Sequence, residues 1–107
     1  MHFDTEGLAE AHASRRAPAV SLVVMLRPPT LGGGLRIWPA LYQGRDHPDA
    51  AVLGAGGDVV FDFDPGDAVV FDSYRLHQIA PFRGGRDRVS ATLHAAQLDV
   101  GLWETWF

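Results

Sequence analysis

The chain has 107 residues, 47% of them apolar, with a formal net charge of −4 and no cysteine. That length supports one modest core, and the missing thiols exclude a disulfide scaffold, a thiolate metal site and a cysteine nucleophile. The nine basic residues, all arginine, form no basic block, which argues against a nucleic-acid partner.

No apolar run approaches the roughly 20 residues that span a bilayer, and no basic-then-apolar leader opens the chain. The reading is therefore a cytoplasmic protein with one domain over residues 1–107 and a homodimer as a possible assembly. Residues 5–18 read as a polar, alanine-rich loop with one or two helical turns before Pro18. Ala19 to Leu26 is an apolar, β-branched run of strand length, stopped by Pro28-Pro29. Gly32-Gly33-Gly34 marks a turn that needs positive φ or a close backbone approach. Leu35 to Trp38 is a short strand ended by Pro39, and residues 43–57 read as a long surface loop.

Strands resume at Val59 to Phe63, with Val59, Phe61 and Phe63 on one face. Asp64-Pro65-Gly66-Asp67 carries the residues of a tight turn, proline second and glycine third. Ala68 to Phe71, Leu76 to Ala80 and Val89 to Leu98 follow as strands, separated by breaks at 72–75 and Gly84-Gly85. The apolar tail from Leu102 to Phe107 is expected to pack on the body of the protein or on a partner. Short strands at close spacing, with glycine and proline turns, predict a mainly β fold, a jelly roll or small barrel.

Chemistry concentrates first in His2-Phe3-Asp4. On an extended backbone residues two apart point the same way, so one imidazole and one carboxylate could grip a common ion. His77 is the candidate third ligand. Two histidines and one carboxylate on one face of an octahedron leave three positions open, the arrangement of non-haem iron(II) sites.

Pro65-Gly66-Asp67 leading through Phe71 to His77, with Arg88-Val89-Ser90 beyond it, resembles the 2-oxoglutarate- and iron(II)-dependent dioxygenase superfamily. Ser21 to Leu26 followed by Gly32-Gly33-Gly34-Leu35 is similar to that family's strand and Gly-Gly-x-Leu turn. The resemblance runs from His2 to about Leu98. It implies a double-stranded β-helix, or jelly roll, incomplete at the N-terminus because the family's strands and helices before His-x-Asp would precede residue 2, as in a truncated reading frame. It implies an enzyme: iron held by His2, Asp4 and His77, 2-oxoglutarate held at its far carboxylate by Arg88 and Ser90, dioxygen on the last open position, and hydroxylation of a C–H bond of a small-molecule or peptide substrate with release of succinate and CO2.

The residue types fit those roles. An arginine fork matches a carboxylate bidentately, and a serine two residues along a strand shares its face. Arg86 has the same parity as Arg88 and is the second candidate anchor. His12 and His47 lie in polar segments and read as surface residues. His94 shares the parity of Arg88 and Ser90 and reads as a hydrogen-bonded core histidine. Trp38 and Tyr42 would line a substrate mouth or fill the core. The alternatives are a cupin-type small-molecule binder, which the lack of any His-x-His disfavours, and an inactive fragment of an oxygenase.

Overall fold

The computed structural model describes residues 1–5, 8, 14–45 and 48–107. His12, His47 and half of the 5–18 loop therefore lie outside the described residues. Among the described residues the strands are β1 (Ala19–Arg27), β2 (Leu31–Gly32), β3 (Leu35–Leu41), β4 (Val59–Phe61), β5 (Ala68–Asp72), β6 (Arg75–Ile79), β7 (Phe82–Arg83), β8 (Val89–Asp99) and β9 (Leu102–Trp106), with one short helix, α1 (Ala50–Gly54). All ladders are antiparallel.

Three open sheets result: β5-β1-β8-β9, β4-β3-β6 and the small β2-β7 pair. Val23 of β1, Leu35 of β3 and Phe71 of β5 form one core cluster, so the two larger sheets pack face to face. The shortest dimension, 18 Å, fits two layers stacked about 10 Å apart. A second cluster joins Phe3, Trp38 and Leu76, and a third joins Ala19, Tyr74 and Ala96.

Local sequence accounts for the connections. In the Asp64–Asp67 turn the Asp67 amide donates to the Asp64 carbonyl at 3.0 Å, and Gly66 takes φ +92°, as a glycine in the third position allows. At the triple glycine, Gly32 and Gly33 have positive φ. A Cβ on Gly34 would sit 2.5 Å from Asp62 Oδ1 and 2.7 Å from the Phe61 carbonyl, so the close approach of β3 to the end of β4 requires glycine there. Strands β2, β7 and β9 are not expected from the sequence, and two further elements depart from the sequence reading. Strand β3 runs through Pro39 to Leu41, its pairing with β6 irregular between Ile37 and Leu41, which is how a strand tolerates a residue without an N–H. Helix α1 falls inside the predicted 43–57 loop.

The larger correction concerns closure. The predicted jelly roll, or double-stranded β-helix, is not formed, because the sheets remain open. β5 and β4 are free edges of their sheets and do not pair with each other. Between them lies an apolar groove of about 370 Å³, walled by Val59 and Phe61 on one side and Val69 and Phe71 on the other. Val59 and Phe61 stay half exposed as a consequence, though their side chains face inward. Alternating apolar strands look the same in an open pair of sheets and in a closed barrel. Edge pairing decides between them, and no short-range pattern encodes it.

Candidate metal centre

The opening tripeptide lies along the outer edge of β6. His2 and His77 exchange both backbone hydrogen bonds, at 3.0 and 3.1 Å, and the Asp4 amide donates to the Ser73 carbonyl. This pairing sets the register that brings His2, Asp4 and His77 together. Phe3, which points the opposite way from its neighbours, is buried against Trp38 and Leu76 and anchors the segment.

One potential ligand atom from each of His2, Asp4 and His77 lies within 4.8 Å of the others. His2 Nε2 is 3.3 Å from Asp4 Oδ1, and His77 Nε2 is 3.3 Å from Asp4 Oδ2. Two donors about 2.1 Å from one ion stand about 3.0 Å apart at a right angle, so both separations suit a shared cation. The side chain of His2, 62% exposed, has the freedom to adjust its distance to a bound ion. The cluster could therefore coordinate a metal ion.

His77 is held more tightly. Its ring is buried, edge-on to Phe71 at 4.7 Å between centroids. Its Nδ1 lies 3.0 Å from the Arg75 carbonyl, which can only accept, so Nδ1 carries the proton. In a neutral ring Nε2 then presents a lone pair to the Asp4 carboxylate. Two acceptors facing each other at 3.3 Å in a buried place require a positive charge between or upon them, either a cation or a second ring proton.

Asp4 is ionised. Burial acts to raise its carboxyl, but the facing His2, His77 and Ser21 side chains outweigh burial and hold it far below the usual carboxylate range. Ser21 Oγ donates to Asp4 Oδ2 at 2.6 Å. With its only proton spent, that hydroxyl accepts from Ser73 Oγ at 2.9 Å and from His94 Nδ1 at 3.1 Å. His94 is thus a hydrogen-bonded interior histidine, as its parity predicts, and it stacks on Trp106. Sequence reasoning missed Ser21 and Ser73. The available signal was Ser21 itself, the one polar residue in an apolar run.

Arg88 and Ser90 meet each other rather than standing side by side as open donors. Arg88 Nη1 donates to Ser90 Oγ at 2.7 Å, Nε donates to the Gly33 carbonyl at 2.8 Å, and Nη2 is buried without a partner among the described residues. Burial pushes this guanidinium below its ordinary range. Arg86 is exposed. Trp38 belongs to the core, and Tyr42 packs edge-on against Phe3.

The expectation of a 2-oxoglutarate-dependent dioxygenase is overturned by the fold. That mechanism uses a barrel that surrounds the metal and the co-substrate, and the open sheets here supply no such enclosure. Enzyme identity and family membership fall with it, for the jelly-roll oxygenase and for the related cupin alike. Among the described residues no helix is long and apolar enough to cross a membrane. No family model, curated protein or solved structure matches the chain, and what the structure establishes is an open-sheet β domain with a potential His2–Asp4–His77 metal triad.

Proposed function

We propose that this chain is a cytoplasmic metal-binding domain in which His2, Asp4 and His77 hold a single divalent first-row ion, ferrous iron being well suited to two imidazoles and a carboxylate. One observation carries the reading. The buried His77 Nε2 faces the ionised Asp4 carboxylate at 3.3 Å while the Arg75 carbonyl fixes the proton on the opposite nitrogen, which is how a ligating histidine is oriented. When bound, the ion supplies Lewis acidity at its remaining coordination positions.

The chain's own residues do the rest. Ser21, braced by Ser73 and His94, keeps Asp4 turned toward the two imidazoles. The unpartnered Arg88 Nη2, with Ser90 beside it, is the proposed anchor for the carboxylate of a small-molecule ligand, and 2-oxoglutarate is the dicarboxylate with which to probe it.

Anaerobic titration with iron(II), and with cobalt(II) as a visible reporter, tests the metal. One equivalent is expected to bind, and His77→Ala and Asp4→Ala should each weaken it at least about a hundredfold, since each removes a ligand outright. Unchanged affinity in both variants would refute the site. A chain that takes up no divalent ion and shows a doubly protonated His77 ring by NMR would assign the cluster to an ionic lock instead. Arg88→Met should leave metal uptake intact and weaken 2-oxoglutarate binding, and equal affinity would remove Arg88 as the anchor.

A further inference from the structure

The four-stranded sheet has two faces, and the wrong one is wet. Along β1 the inward residues Ala19, Ser21, Val23 and Met25 are all buried, and one of them is a serine. The outward residues are Val20, Leu22, Val24 and Leu26, more apolar than the inward set, and Leu26 is 56% exposed. The neighbours continue the pattern. Val70 of β5 and Leu93 of β8 flank Leu22 in register, and Val70 is 58% exposed. Trp103 of β9 is 43% exposed on the same face. A sheet with solvent on one face alternates apolar with polar residues, whereas apolar residues at every position are the mark of a sheet covered on both faces.

We propose that this outer face is the interface of a symmetric dimer, and that its occupant is the same face of a second copy of this chain. Area supports the choice. The four strands, 9, 5, 11 and 5 residues long, lie about 4.8 Å apart, rise about 3.4 Å per residue and together cover roughly 490 Å² in projection. That is the size of the largest apolar patch of a monomer, about 300–600 Å² and often functional, and side-chain relief brings it toward the about 800 Å² per partner of a stable interface.

The distribution of polarity fits as well. The polar members of the face, Asp72, Gln97 and Thr105, stand together at the end near Val20. A two-fold axis near Leu22 and Leu93 would bury both apolar halves and leave both polar ends at the rim, the anatomy of a homodimer. Sheet-on-sheet packing needs no insertion and no opening of the fold.

Sedimentation velocity of the full chain across the micromolar range tests the proposal. A concentration-dependent dimer is expected. Val70→Glu and Leu93→Glu should each weaken self-association at least about a hundredfold, because a two-fold axis places two carboxylates in every interface. Val70 is already exposed in a single copy, so its variant should keep the parent far-ultraviolet spectrum. A chain that stays monomeric throughout the range would overturn the proposal. So would a dimer indifferent to both substitutions, since its contact would then lie elsewhere.

Discussion

Two neighbouring stretches of the space between the sheets solve opposite problems with the same strands. Around Val23, Leu35 and Phe71 the facing side chains are all apolar, and the layer is held by packing. One step along β1, Ser21 replaces an aliphatic side chain, and Asp4, Ser73, His77 and His94 gather round it. The apolar stretch gains from every methylene it buries. The polar stretch must satisfy each donor and acceptor, because an unpaired buried polar group costs about 1–3 kcal/mol. The contrast separates a region that stabilises the layers from one that holds a charge in place.

The largest expected effect lies in the apolar stretch. Leu35 is fully buried, and Leu35→Ala should lower stability by about 3 kcal/mol in urea denaturation while metal uptake by the folded fraction stays near one equivalent. Loss of the metal in that variant would break the distinction. On the polar side, Ser21→Ala strips one donor from Asp4 and one acceptor from both Ser73 and His94. A stability loss of about 2 kcal/mol is expected, together with about a ten- to hundredfold drop in metal affinity. Equal affinity would show that Asp4 needs no brace.

Acid sharpens the same contrast. The folded Asp4 carboxyl lies below the ordinary aspartate value near 3.8, so the folded chain binds fewer protons than the unfolded chain in that window. Its contribution to stability is complete above the ordinary value and fades as pH falls through the lower folded one. Urea midpoints between about pH 2 and pH 5 should therefore fall less steeply for Asp4→Asn than for the parent, and identical slopes would contradict the ion cluster. The smallest effect belongs to neither stretch. Gly66→Ala meets no neighbouring atom, so only its φ of +92° is at stake, and about 1 kcal/mol of stability should be lost.

Much of this was legible in advance because it is local. The β1 run, the Asp64–Asp67 turn and the β5 and β8 runs follow from composition and proline or glycine punctuation within a few residues. The meeting of His2, Asp4 and His77 was legible from ligand types and the two-residue period, with the bridge between the opening tripeptide and β6 supplying the rest. Closure was not legible. Val59 and Phe61 carry the alternation of a barrel strand, yet the partner that would complete their edge is absent among the described strands, and nothing in three residues announces it. Arg88 and Ser90 read as parallel donors because they share a face, whereas the first spends a nitrogen on the second.

The stack of Trp106 on His94, with ring centroids 5.5 Å apart, gives this protein a built-in optical reporter. His94 reaches Asp4 through the Ser21 hydroxyl, so a paramagnetic ion arriving at the carboxylate would quench the emission of that indole by proximity alone. Trp103 points to the opposite side of the same strand and serves as an internal reference. Occupancy could then be followed in unlabelled protein, from the last strand of the chain looking in on its first residues.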